Sequence, residues 1–208
     1  MRIVILPGLG QKTADWDSVI SELSNPASVV NLFKGIAENT PVSFNRLEQE
    51  VNNVLEEINE PFVLVGLSLG GLLALNYATA KLSKNLKGLI ICSAIYKSIP
   101  KAVNVLQTLM FNFLSVKQLN IMGLTKKQLL DLISSINQQD LTTTLSLIQL
   151  PTLVMCGRKD KLNLKTTKEI NHLILNSKLE IVPNGLHELN KSNPQEIAQL
   201  MNLFIDRI

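Results

Sequence analysis

The chain has 208 residues, enough for one domain with a modest insertion, and a fold of that size buries roughly 70% of its unfolded surface without needing a staple. A hydrophobic content of 46% excludes a disordered chain. A net charge of +3, with 4% aromatics and no basic cluster interleaved with them, argues against a nucleic-acid role.

In chain order, Arg2–Leu6 is a β-rich run ended by Pro7-Gly8. It is too short for a signal peptide, so the expected location is the cytoplasm. Ala14–Leu23 places Trp16, Val19, Ile20 and Leu23 at helical spacing, and Ser28–Phe33 is expected to be a second strand. Ser43–Ile58 predicts a helix capped by Ser43, with Phe44, Leu47, Val51, Val54, Leu55 and Ile58 as its apolar stripe. Phe62–Val65 is a continuous apolar run, as expected of a central parallel strand. Leu69–Ala80 is apolar almost all round and predicts a buried helix. The uncharged stretch that contains both is not a membrane span, because Gly66, Gly70 and Gly71 interrupt it and Ser68, Asn76 and Thr79 are polar.

Leu86–Cys92, Thr152–Cys156 and Leu179–Val182 read as further strands. Thr166–Leu175 and Pro194–Ile208 read as helices, the second with Asn193 as its cap and Pro194 in its first turn. Residues 98–147 break the alternation. They hold no strand-like run, and Val103, Leu106, Met110, Phe113 and Leu114, then Leu129, Leu132, Ile133 and Ile136, recur at helical spacing. The expectation is an α/β chain: a mostly parallel sheet of about six strands with helices on both faces. Residues 1–97 and 148–208 form its core, with a helical lid, 98–147, inserted in it. Cys92 and Cys156 sit in apolar strands and read as buried free thiols.

Ligands of parallel sheets bind beyond the carboxyl ends of the strands. Beyond Val65 stands Gly66-Leu67-Ser68-Leu69-Gly70, a Gly-x-Ser-x-Gly turn between strand and helix that would lift the Ser68 hydroxyl above the sheet. A serine needs a base. Of the two histidines, His172 lies within a helix and reads as a surface residue, whereas His187 follows a strand end. Asp160, in Gly157-Arg158-Lys159-Asp160, follows another strand end and could orient His187; a turn or capping role is the alternative. The backbone N–H groups of Leu9 and Leu69 are the candidate oxyanion donors.

Two rival readings of the first loop fail on spacing. Thr13 stands where a dinucleotide fingerprint needs its third glycine, and no glycine precedes Lys12 as a phosphate loop requires. No Cys/His cluster has metal-ligand spacing, and no cofactor is implied. Leu67, Ile95, Met110, Phe113 and Leu114 are candidate walls of an apolar acyl pocket, or they pack lid against core. Lys97, Lys101, Lys117, Lys126 and Lys127 outnumber Asp131 and Asp140 around the lid. That excess would suit an acidic acyl carrier or a coenzyme A thioester. A solvated face accounts for it more simply.

The order Ser68, Asp160, His187 resembles that of the α/β-hydrolases. Leu6-Pro7-Gly8-Leu9-Gly10 with Trp16 resembles their oxyanion loop, and Gly66 to Gly71 their nucleophile elbow. Gly157 to Leu162 resembles the acid loop, and Asn184-Gly185-Leu186-His187 the histidine loop. The chain is most similar to the small carboxylesterase branch that includes the pimeloyl-carrier methyl ester esterases. The resemblance implies hydrolysis of an ester or thioester of a small acyl substrate through an acyl-enzyme on Ser68. The same triad also serves lyase or C–C bond chemistry, and the scaffold also serves non-catalytic ligand binding or signalling. Three features depart from the family: Pro7 stands where a histidine is usual, Phe33-Lys34-Gly35-Ile36 replaces a glycine- and aspartate-rich loop, and the two leading antiparallel strands are missing.

Overall fold

The computed structural model describes residues 1–80, 83–98 and 115–208. Its strands are β1 (Arg2–Leu6), β2 (Ala27–Val29), β3 (Phe62–Leu67), β4 (Leu86–Cys92), β5 (Thr152–Gly157) and β6 (Ser177–Val182). They form one parallel sheet in the order β2-β1-β3-β4-β5-β6.

Side chains alternate between the faces of a strand, so each strand feeds two cores. Ile3, Ile5, Val63, Val65, Ile90 and Met155 point to one side. There they meet Trp16, then Val19 of α1 (Asp17–Ile20), and Ile197, Met201 and Ile205 of the carboxyl-terminal helix Pro194–Ile205. Val4, Leu6, Leu64, Leu89, Ile91 and Val154 point to the other side. Helix α2 (Phe44–Glu56) buries Phe44, Leu47, Val51 and Leu55 there, beside α3 (Leu69–Ala80). Ser43 Oγ caps α2 by accepting from the Arg46 N–H at 3.3 Å.

Several boundaries differ from the pattern of the sequence. The expected helix Ala14–Leu23 is a 3-10 turn, Thr13–Trp16, followed by the short α1. Asp15 Oδ2 accepts from the Lys12 N–H at 2.8 Å, which tightens that turn and buries Trp16. The expected strand Ser28–Phe33 pairs only over Ala27–Val29, against Ile3 to Ile5 of β1. Strands β3 and β5 run on to Leu67 and Gly157, because glycines are no obstacle to the ladder where neighbouring backbone comes close. Val54, expected in the α2 stripe, is exposed. Asn193 stands at the cap of Pro194–Ile205, but its amide donates to Glu196 Oε2 at 3.0 Å instead of capping the backbone.

Within the insertion, α4 (Val116–Met122) and α5 (Lys126–Ile136) are helical. A reciprocal capping box starts α5. Thr125 Oγ1 accepts from the Gln128 N–H at 3.3 Å, and Gln128 Oε1 accepts from the Thr125 N–H at 2.8 Å. Leu129, Leu132, Ile133, Leu141 and Leu145 are buried in the same core as α2 and α3. Gln128 Nε2 donates to the carbonyls of Ala37 and Thr40 at 2.9 and 2.8 Å, and Ser135 Oγ accepts from the Phe44 N–H at 2.8 Å. Towards its far end, a bridge between Lys97 and Asp140 and a bond from the Leu141 N–H to the Tyr96 carbonyl, 2.8 Å, fasten it to the segment that follows β4. The second half of the insertion is therefore packed into the core.

Strand β1 has β2 on one side and β3 on the other, so the connections diverge between β1 and β3. A crevice opens beyond the carboxyl ends of strands at such a point. The loop after Leu6 and the turn at Ser68 stand at this point of the sheet.

Candidate active site

Ser68 joins β3 to α3 in a left-handed backbone conformation, φ 54°. For a residue with a side chain this is a strained setting, and it persists only where the surroundings hold it. They do so on both sides. The Ser68 N–H donates to the Cys92 carbonyl at 2.9 Å, and the Ser68 carbonyl accepts from the Leu72 N–H at 3.0 Å. Gly70 lies so close to the Leu6 carbonyl that a methyl group there would overlap it. That closeness lets α3 sit directly behind the loop after β1.

His187 lies in the loop after β6. Its Nε2 is 3.1 Å from Ser68 Oγ and its Nδ1 is 2.8 Å from Asp160 Oδ2. A carboxylate can only accept, so Nδ1 carries the ring hydrogen and donates it to Asp160. Nε2 is then the free acceptor that faces the Ser68 hydroxyl. The Asp160 side chain is 4% exposed and that of His187 is 42% exposed, so the acid is sheltered while the imidazole reaches the surface.

Asp160 follows β5, and its N–H donates to the Gly157 carbonyl at 3.0 Å. Burial pushes its carboxyl up, but hydrogen bonds from His187 and Asn163 outweigh this and hold it below the usual carboxylate value. Asn163, three residues after Asp160, was not among the expected site residues. Its Nδ2 donates to both Asp160 oxygens, at 2.9 and 3.0 Å. The same nitrogen is 3.1 Å from His187 Nδ1, but both atoms carry hydrogen, so its bonds go to the carboxylate. The signal was a short polar side chain in the turn that follows the acid.

The loop after β1 holds a second such residue, Gln11, 9% exposed. Its Oε1 accepts from the Gly8 N–H at 2.9 Å and from Trp16 Nε1 at 3.2 Å. The Gly8 N–H is thereby taken, and among the described residues no acceptor faces the Leu9 N–H. Leu69 is the first residue of α3, so its N–H has no partner within the helix.

Of the expected pocket walls, Leu67 is 1% exposed and packs in the core beside Trp16 and Leu189. Ile95 is partly buried against the opposite core. Met110, Phe113 and Leu114 lie outside the described residues. Met122 of α4 was not foreseen: it packs over Gly10 in the first loop, where an added methyl would stand 3.1 Å from its Cγ. His172 is exposed on helix Leu164–Leu173, away from the triad. Cys92 and Cys156 are free and buried.

Among the described residues no group of three His, Cys, Asp or Glu side chains could hold a metal ion, and no helix is long and apolar enough to cross a membrane. Two cavities, of about 330 and 480 Å³, lie at the amino ends of the strands, beside Asn85 and beside Arg2, away from Ser68.

No protein-family model and no curated protein matches the sequence. Solved structures do match along its whole length. MenH from S. aureus superposes with a TM-score of 0.82 at 17% identity, over 100% of this chain and 94% of that one. A thermophilic esterase from Thermogutta terrifontis gives 0.80 at 16% identity, over 100% and 90%. MGS-M2, an alpha/beta hydrolase enzyme from a Medee basin deep-sea metagenome library, gives 0.81 at 18% identity, over 100% and 90%. Identities this low speak for the path of the backbone alone. The six-stranded parallel sheet and these likenesses agree on one statement: the chain has the α/β-hydrolase fold.

Proposed function

We propose that the protein is a serine hydrolase that cleaves a carboxylic ester or thioester of a small acyl substrate through an acyl-enzyme on Ser68. The observation that carries this reading is the relay from Ser68 Oγ to His187 Nε2, 3.1 Å, and from His187 Nδ1 to Asp160 Oδ2, 2.8 Å, set on a strained turn.

His187 takes the Ser68 proton as Oγ attacks the carbonyl carbon, and Asp160 stabilises the imidazolium that forms. The carbonyl oxygen becomes an oxyanion, held by the N–H groups of Leu9 and Leu69 at the positive end of α3. His187 returns its proton to the leaving alcohol or thiol as the carbon–oxygen or carbon–sulfur bond breaks. Water, deprotonated by His187, then attacks the acyl-enzyme. The acid leaves and Ser68 recovers its proton.

Leu9, Ile95 and Met122 are the described apolar side chains that the site could offer an acyl group. The small carboxylesterase branch remains the model for substrate choice, on the sequence motifs alone. Steady-state hydrolysis of short p-nitrophenyl esters tests the reading. Asp160→Asn should lower kcat by on the order of 10³- to 10⁴-fold through loss of the correct tautomer. Unchanged kcat in that variant would remove Asp160 from the mechanism.

A further inference from the structure

We propose that Gln11 is a positioning residue that ties the loop bearing the Leu9 oxyanion donor to the loop bearing His187. The inference rests on the serine-hydrolase reading above.

The Gln11 side chain is buried, and all four of its hydrogen-bonding positions are used. Oε1 takes the Gly8 N–H and the Trp16 indole N–H, both from the segment after β1. Nε2 donates to the histidine loop, to Glu188 Oε1 at 2.9 Å and to Asn190 Oδ1 at 3.0 Å. Glu188 is the residue directly after His187. The contact is doubled from the far side. Asn190 Nδ2 donates to the Asp15 carbonyl at 2.9 Å, and Lys191 Nζ bridges Glu188 Oε1 at 3.0 Å and Asp15 Oδ1 at 3.5 Å.

The amide thus fixes two things at once. It takes up the Gly8 N–H, so that the next N–H, that of Leu9, is the one the loop can offer as an oxyanion donor. It also holds the chain neighbour of His187 to the same loop. The base and the oxyanion donor flank the reacting carbonyl, and their separation must stay constant while charge moves between them. A hydrophobic residue at position 11 would fill the space without setting that separation. The neighbouring Pro7 offers no side-chain hydrogen bond to do so.

Isosteric exchange tests this without opening a cavity. In Gln11→Glu the ionised carboxylate still accepts from Gly8 and Trp16, but it faces Glu188 and Asn190 Oδ1 with no hydrogen to give. Once protonated, its hydroxyl replaces Nε2 as the donor, and the nearby Glu188 carboxylate shifts that protonation to higher pH. The expected result at pH 8 is a fall in kcat on p-nitrophenyl esters of the order of 10- to 100-fold with KM little changed. The rate of Ser68 labelling by a fluorophosphonate should fall in parallel. The variant-to-wild-type ratio of kcat should rise as the pH is lowered from 9 to 6. The double variant Gln11→Glu/Glu188→Gln, which reverses one donor–acceptor pair, should recover part of the loss and flatten the ratio.

The chain has one tryptophan, so the single indole N–H resonance reports whether Trp16 keeps its acceptor in each variant. A variant with that resonance in place, wild-type kcat and a flat ratio would reduce Gln11 to a filler of the core and overturn the proposal. Wild-type protein that neither labels nor turns over would overturn the serine-hydrolase reading, and the role of Gln11 with it. Wild type that labels beside Gln11→Glu that labels equally fast would overturn the role of Gln11 alone.

Discussion

Gly157 and Gly185 pack backbone against backbone: a methyl group on Gly157 would overlap the Gly185 carbonyl. Gly157 ends β5 and opens the loop to Asp160, and Gly185 stands in the turn before His187. The Arg158 N–H donates to the Val182 carbonyl at 2.9 Å and the Lys159 N–H to the Gly185 carbonyl at 3.0 Å. The short Asp160–His187 contact is thus set by two loops joined through their main chains. Gly157→Ala must part them. A loss of about 1–3 kcal/mol in urea unfolding is expected. A fall in kcat out of proportion to the unfolded fraction should accompany it, because the acid and base separate. Full activity in a stable Gly157→Ala protein would show that the loops move together instead.

Asn163 supports the carboxylate side of the same contact. The folded-state carboxyl of Asp160 lies below its ordinary value. An acid depressed on folding stabilises the fold above its unfolded pKa, about 3.9, and that contribution is lost as the pH falls through the lower folded value. The stability difference between wild type and Asp160→Asn should therefore shrink as urea titrations move from pH 7 towards pH 3. Asn163→Ala removes two of the hydrogen bonds that hold the carboxyl down, so the stability it loses between pH 7 and pH 3 should be smaller than that lost by the wild type. Coincident pH profiles would show that Asn163 does not act on Asp160.

The turn at Ser68 stores strain for its geometry. Glycine takes a positive φ without penalty, whereas a residue with a Cβ loses roughly 1–2 kcal/mol. Ser68→Gly should abolish turnover yet unfold at the same denaturant concentration as the wild type or a higher one. Ser68→Ala, which keeps the Cβ, should be the less stable of the two. The reverse order of stability in urea would mean that the extra freedom glycine gives the unfolded chain outweighs the strain.

Burial, with a smaller push from Cys156, drives the Cys92 thiol up to about 12, and burial raises that of Cys156. Neither is a ready thiolate at neutral pH. Iodoacetamide should leave the native protein unmodified and alkylate both cysteines in urea. It should also spare activity, in contrast to a serine-directed reagent. Rapid alkylation of the native protein with loss of turnover would bring a thiol into the account.

Much of this arrangement was legible in the sequence because it obeys short-range rules. Leu86–Cys92 and Leu69–Ala80 fold over the very ranges that their apolar runs mark, since both are enclosed by the core. Ser68, Asp160 and His187 could be picked out because each follows a strand in a parallel sheet. Ser28–Phe33 was overread: at the sheet edge, only Ala27–Val29 finds a partner strand. The stripe of Leu129, Leu132 and Ile133 announced an amphipathic helix, but the surface that receives it is built by α2 and the loop around Thr40. Gln11 left no mark, and Asn163 only that of a short polar residue in a turn. An uncharged amide contributes to neither apolar periodicity nor charge pattern. The partners of Gln11 on the histidine loop are 177 and 179 residues away along the chain.

The most direct test of the account is reaction of the purified protein with a fluorophosphonate, followed by identification of the modified residue, beside Ser68→Ala. The account predicts one adduct, on Ser68, with ester turnover lost in step. It also predicts that Ser68→Ala is unlabelled and at least about 10⁴-fold slower in kcat. An unlabelled wild type, or turnover that survives in Ser68→Ala, would contradict it.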